Sequence, residues 1–154
     1  MAESRLLWED LNTGDEAISA GRTITEADVV NFCGLSGDFN WFHTDKVAAE
    51  ASVFGQRVAH GMLVASIATG LQVGQMDPKV ATAAFMGLSD WQFRGAVFFG
   101  DTIRVKRTIG AKAEHPKNAG QGFVDYEVEV LNQDDKIVQK GVWKMLIRRR
   151  SAEG

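Results

Sequence analysis

A single cysteine, Cys33, stands among the 154 residues, so no intrachain disulfide can form and no thiolate cage for a metal can be assembled. That absence fits a reducing compartment, and the expected location is cytoplasmic. With Phe32 and Leu35 as neighbours, the thiol reads as buried and inert. A surplus of positive charge is missing too. The formal net charge of −3 leaves no basic face for a nucleic-acid backbone, and the one cationic cluster, Arg148-Arg149-Arg150, reads as a solvated tail, with anion binding as the alternative. The first ten residues carry acids and lack the apolar run of a signal peptide. No apolar stretch reaches the roughly 20 residues that a bilayer crossing needs. The nearest, Val58 to Val73, contains Ser66, Thr69, Gln72 and two glycines. Neither a nucleic-acid nor a membrane partner is therefore expected. Internal repeats, linkers and low-complexity tracts are absent as well, and the length allows one packed domain over residues 1–154 and not two.

What the chain does contain is 45% hydrophobic residues in two kinds of pattern. The 58–73 stretch, too short for a membrane and apolar on all sides, predicts a buried core helix that must be covered on more than one side, which in a small domain means a sheet wrapped around it. The later chain alternates. Ile103, Val105, Ile109 and Ala111 interleave with Thr102, Arg104, Lys106 and Thr108, a half-buried strand. Val124, Tyr126, Val128 and Val130 interleave with acids up to the turn Asn132-Gln133-Asp134-Asp135, and the returning arm from Ile137 to Ile147 carries Trp143, Met145 and Ile147 on one face. Val80 to Phe93 is strand-like too. Before the core helix, Gly21 to Thr23 ends a weak strand. Thr25 then caps a helix running to about Leu35, Gly37 breaks it, and Thr44-Asp45-Lys46 opens a short helix through Ala51.

Chemistry concentrates between the helices. The segment Ser36-Gly-Asp-Phe-Asn-Trp-Phe-His43 places one carboxylate, Asp38, and one imidazole, His43, in a short polar turn, and Ala59-His60-Gly61-Met62-Leu63 puts a glycine at the start of the apolar helix. A carboxylate and an imidazole can remove a proton from water and return one to carbon. A backbone N–H at the positive end of a helix can hold a developing oxyanion.

Gly37-Asp38-x-Asn40-x-x-His43, Phe54-Gly55, Ala59-His60-Gly61-Met62 and Phe99-Gly100-Asp101 together resemble the signature of the MaoC-like, (R)-specific enoyl-CoA hydratase family. The resemblance holds in order and spacing over about residues 15 to 148. It implies an α+β single hot-dog domain, an antiparallel sheet wrapped around a long central helix, usually a homodimer or higher homo-oligomer. It implies also an acyl-CoA thioester substrate, reversible hydration of a trans-2-enoyl-CoA to the (R)-3-hydroxyacyl-CoA, and no metal or organic cofactor.

Residue by residue, the resemblance makes Asp38 and His43 the pair that holds and activates water, and Gly61 the donor to the thioester oxygen. Thr69 lies where relatives have a small hydroxyl residue near the site. Trp41 stands where the family commonly has proline, so something bulkier lines the entrance, and Phe54 joins it and Thr69 as a substrate-binding expectation. Asn40 reads as tying the turn to its own backbone, and His60 as structural, bonded to a backbone carbonyl near the helix start. Gly61 also allows the helix to approach a strand closely. Trp91, Phe93 and Phe98-Phe99 read as core or interface packing, with an acyl-pocket role as the lesser alternative, and Arg94, Arg104 and Lys106 receive no assignment to the phosphates of coenzyme A. Three alternatives stay open: a branched, dicarboxylic (mesaconyl-type) or carrier-protein-bound acyl chain, a thioesterase of the same fold, and a non-catalytic acyl-CoA-binding subunit.

Overall fold

The computed structural model describes residues 5–74, 76 and 79–150. The reading of the first four residues as part of a leaderless terminus lies outside them. Two short strands, β1 (Glu16–Ile18) and β2 (Arg22–Thr23), precede the helix α1 (Glu26–Ser36). Two short helices follow, α2 (Trp41–Thr44) and α3 (Lys46–Glu50), then the central helix α4 (Gly61–Gly74). Four long strands complete the chain: β3 (Thr82–Phe93), β4 (Thr102–Glu114), β5 (Gln121–Leu131) and β6 (Ile137–Arg148).

All pairings between these strands are antiparallel, in the order β1-β4-β5-β6-β3, with β2 added on β4. The sheet curls around α4, whose Leu63, Val64, Ala68 and Leu71 pack into one cluster with Val105, Val124, Val128, Val130 and Trp143 from the strands. This is the hot-dog arrangement. Among the described residues, no helix is long and apolar enough to cross a membrane.

Local chemistry explains the element ends that matter for the site. Thr25 caps α1 through a reciprocal pair of bonds, its Oγ1 accepting from the Asp28 N–H while Asp28 Oδ2 accepts from the Thr25 N–H. Thr25→Ala is expected to lower stability by about 1 kcal/mol, read as a drop in the thermal midpoint. The same helix stops at Gly37, which takes φ 75° and returns its N–H to the Cys33 carbonyl, a left-handed C-cap that glycine adopts without the penalty of a Cβ.

Four expectations need correction. The central helix, read as buried, is wrapped by the sheet but in the single chain leaves one stripe open: Met62, Ser66, Gly70 and Val73, at helical spacing, are exposed, with Met62 53% and Val73 66% accessible. On β4 the inward set is Ile103, Val105, Arg107 and Ile109, because a bulge between Ile109 and Lys112 turns Ala111 out to solvent. The polar turn before His43 is partly helical, since His43 sits on α2.

Nor is the arginine cluster a solvated tail. Arg149 stacks on the Trp8 ring and pairs with Glu9 and Glu114, each at 3.0 Å, while Arg150 pairs with Asp10. Trp8 is wedged against Gly122, where a Cβ would overlap the indole. Ion pairs at a surface are individually weak, but these surround a seated aromatic ring and so fasten the start of the chain to the end of β6.

Candidate active site

The site begins where α1 ends. Beyond Gly37 the chain turns on its own side chains: Ser36 Oγ accepts from the Asp38 N–H at 3.2 Å, and Asp38 Oδ1 accepts from the Asn40 N–H at 3.2 Å. The bond expected of the Asn40 side chain is thus supplied by Asp38. Asn40 contributes its carbonyl, which accepts from the His43 N–H and the Thr44 hydroxyl. Committing Oδ1 to the turn leaves Asp38 Oδ2 free.

Oδ2 faces two imidazoles. His43 Nε2 and His60 Nε2 each lie 4.0 Å from it, and the two rings stack with centroids 3.6 Å apart. Both histidines are buried, whereas the Asp38 side chain is about half exposed (52%). The imidazole protons are set by what each ring touches. His43 Nδ1 lies 2.6 Å from the Val58 carbonyl oxygen, which can only accept, so Nδ1 carries the proton and Nε2 presents a bare lone pair toward Asp38. His60 Nε2 lies 2.9 Å from the Asp38 carbonyl oxygen and donates to it by the same logic. His60 is therefore bonded to a backbone carbonyl as expected, and that carbonyl belongs to Asp38 itself.

Burial, the largest influence, holds the His43 imidazole below its ordinary value of 6.5, and the His60 ring pushes the same way; the Val58 bond and the Asp38 charge oppose them. His43 is thus neutral at pH 7 and equipped as a base. The sign is definite: lowering the pH through this depressed pKa protonates Nε2 and removes the base. We expect kcat/KM to climb with pH on the acid side, with a midpoint below 6.5 and a plateau by neutral pH, read in a pH profile. Stability follows the same direction. The unfolded chain binds the His43 proton more readily, so this contribution is complete above about pH 6.5 and is lost as the pH falls through the folded value.

The loop after α3 leads into the start of α4. The Val58 N–H bonds the Phe42 carbonyl and the Ala59 N–H bonds the Val97 carbonyl, which fixes the approach to α4. Among the described residues, no side chain is seen to accept from the first N–H groups of this helix. Its first internal bond runs from the Val64 N–H to the His60 carbonyl, so the N–H groups of Gly61, Met62 and Leu63 precede the ladder. An uncapped helix start is a natural site for negative charge. A cavity of about 720 Å³ lies in front of it, lined by Asp38, His43, His60, Gly61 and Met62 together with Phe32, Phe42, Phe54 and Phe93.

Asp38, His43, His60 and Gly61 are thus brought together, and Phe54 lines the same cavity. Two expected substrate contacts are elsewhere. Thr69 sits two helical turns beyond Gly61, roughly 12 Å along the axis, with its hydroxyl satisfied by the Ser66 carbonyl and no part in the lining. Trp41 is also outside the lining, half exposed, with its ring edge-on to Phe42. Of the three unassigned cations, Arg104 pairs with Asp135 and Lys106 with Glu16, while Arg94 lines the cavity.

Phe93, read as packing with an acyl-pocket alternative, and Gln139, which drew no reading, both line this cavity. Phe93 packs directly over Gly61, and Gln139, almost fully buried, donates from Nε2 to the Gly61 carbonyl at 2.8 Å. A signal existed for the second, because extending the Trp143, Met145, Ile147 alternation back along β6 puts this glutamine on the inner, apolar face.

One ligand atom each from Asp38, His43 and His60 falls within 4.8 Å of the others, a spacing at which a divalent ion deserves a test. The fit is poor. Stacked imidazoles send their in-plane lone pairs along neighbouring lines and not to one point, and the His60 Nε2 proton is committed to the Asp38 carbonyl. A gap of 4.0 Å between a bare imidazole nitrogen and a carboxylate oxygen suits one water bonded to both. Cys33, whose Sγ lies 3.7 Å from His60 Nε2, is buried, and that burial together with the Asp38 charge raises its pKa, leaving an unreactive thiol.

Comparison with known proteins matches residues 12–131 to the family described as MaoC like domain. The protein named MaoC from Klebsiella aerogenes is 40% identical over 119 residues, 76% of this chain, although the chain spans only 35% of that longer protein. The (R)-specific enoyl-CoA hydratase of Aeromonas caviae is 33% identical over 106 residues, 69% of this chain and 76% of the relative. Among solved structures, a MaoC-like dehydratase from Rhodospirillum rubrum superposes with a TM-score of 0.83 at 29% identity, covering 94% of this chain and 98% of that one. With a family match over residues 12–131, well over half of its length, the chain belongs to the MaoC-like dehydratase family.

Proposed function

We propose that the protein reversibly adds water to a trans-2-enoyl-CoA thioester, giving the (R)-3-hydroxyacyl-CoA. The observation that carries this reading is the 4.0 Å separation of His43 Nε2 and Asp38 Oδ2, beside the uncapped start of α4 and within one cavity. A water held by both acceptors turns its hydrogens toward them and its oxygen lone pair toward the substrate. As the oxygen bonds to C3, an O–H bond breaks and one of the pair takes the proton. The π electrons shift to the thioester oxygen, where the Gly61 N–H stabilises the enolate charge. The enolate then collapses by taking a proton at C2 from the same pair, so that H and OH arrive on one face. The (R) configuration is carried over from the relatives named (R)-specific hydratases.

The reading includes a homodimer. Met62 and Val73 on α4, and Phe85, Met86 and Leu88 on β3, are exposed apolar residues that a second copy would bury. Incubation with crotonyl-CoA tests the activity: the conjugated-enoyl absorbance is expected to fall with no free thiol released. Coenzyme A released without hydration would support the thioesterase alternative. A substrate panel varying chain length, branching and a terminal carboxylate, on coenzyme A and on a carrier protein, then defines the acyl group.

A further inference from the structure

Gly61 is held from two sides by a single rung of the sheet. Phe93 on β3 and Gln139 on β6 are register partners. The Phe93 ring covers the Gly61 Cα so closely that a Cβ there would lie 2.7 and 2.8 Å from two ring carbons, while Gln139 Nε2 donates 2.8 Å to the Gly61 carbonyl. The close approach demands glycine, and glycine is the residue whose backbone is least constrained by itself. It is also the first residue of a helix whose start meets no capping side chain among the described residues.

The Gln139 amide orientation follows from chemistry. A carbonyl can only accept, so the NH2 end faces Gly61 and the Oε1 end faces away. That oxygen is buried and has no partner among the described residues. Leaving a buried acceptor unpaired is costly, a penalty that an apolar side chain of similar shape would avoid. Gln139 is 2% exposed, and for folding alone a methionine or leucine would serve better. The polar residue is explained by what its other end does.

Building on the reading of Gly61 as the oxyanion donor, we propose that Gln139 is a positioning residue for hydration: it pins the Gly61 peptide so that the first amides of α4 stay aimed at the thioester oxygen. Its bond to the Gly61 carbonyl also polarises the N–H of the same peptide unit, that of Met62, which lines the cavity as well.

The test is Gln139→Met, assayed with crotonyl-CoA beside the wild type, with thermal midpoints measured for both. The expected result is a fall in kcat of about tenfold to a hundredfold, the scale of a small misplacement of catalytic groups. KM should be little changed and the thermal midpoint equal or higher. A purely structural glutamine gives the opposite split, a shifted midpoint with kcat intact. Wild-type kcat in Gln139→Met, or a loss that disappears on correction for the folded fraction, overturns the proposal. If the methionine variant does not fold, Gln139→Asn, whose shorter side chain cannot reach the Gly61 carbonyl, is judged by the same criteria. A wild-type protein inert toward every enoyl thioester of the substrate panel overturns the hydratase reading and this proposal with it, whereas an active wild type with an unimpaired Gln139→Met overturns this proposal alone.

Discussion

Asp38→Asn is expected to lower kcat for crotonyl-CoA hydration by about 10²–10⁴-fold, the usual contribution of a positioned acid or base, while leaving stability within about 0.5 kcal/mol of wild type. The near-neutral stability follows from exposure. Half of the Asp38 side chain is accessible, and an asparagine Oδ1 can still accept from the Asn40 N–H. What disappears, on the proposed mechanism, is the carboxylate oxygen that would share a water with His43. His43→Gln should lose comparable activity with a larger structural cost, about 1–3 kcal/mol, because the ring is buried, stacked on His60 and bonded to the Val58 carbonyl. The double variant should be little worse than the poorer single one, since two groups working on one water act as a unit. Steady-state kinetics and thermal denaturation of the three variants check this, and additive losses in kcat would show that the two residues act on separate steps.

Gly61→Ala comes next in expected effect, and opposing magnitudes make it informative. Within a helix, alanine is favoured over glycine by about 1 kcal/mol, so without neighbours the substitution would stabilise the protein. Here the new Cβ meets the Phe93 ring at 2.7 and 2.8 Å, and such overpacking costs about 1–3 kcal/mol. Destabilisation is therefore the expected net sign. As the helix start shifts to relieve the clash, the N–H leaves its aim, and kcat is expected to fall by up to about 10²–10³-fold, the scale of losing one oxyanion donor. Phe93→Ala in the Gly61→Ala background should recover much of both losses, a coupling that a double-mutant cycle reads directly. Absence of recovery would mean that the glycine is needed for a reason other than the ring above it.

The fold was legible because it is written in local periodicity. An apolar stretch too short for a bilayer and an alternation of two along β4, β5 and β6 lead to a helix inside a sheet. The α1 cap at Thr25 and stop at Gly37 were likewise visible in residue types. Exposure was less legible, because period says which face is apolar and not what covers it: Met62 and Val73 belong to an apolar helix yet face solvent in the single chain. Arg107 and Gln139 were passed over for a related reason, each a polar residue on the inward side of an otherwise apolar strand.

Within the site, Asp38, His43 and Gly61 were legible as a carboxylate, an imidazole and a helix-start glycine whose roles the family resemblance implied, whereas their supports were not. The Val58 carbonyl that sets the His43 proton lies 15 residues away, the Asp38 carbonyl that accepts from His60 lies 22 away, and Gln139 lies 78 beyond the glycine it holds. Such partners come together only through tertiary packing. Thr69 illustrates the converse, a hydroxyl suited to a site by type but carried past it by the helical rise.

The most direct test of the central claim, that one water held between Asp38 and His43 supplies both new substituents, is hydration of crotonyl-CoA in deuterium oxide, with the relative configuration at C2 and C3 of the 3-hydroxybutyryl product determined by proton NMR. The account predicts deuterium at C2 on the same face as the new hydroxyl. Delivery of deuterium to the opposite face would contradict it, because a pair of groups bracketing a single water reaches only one side of the double bond.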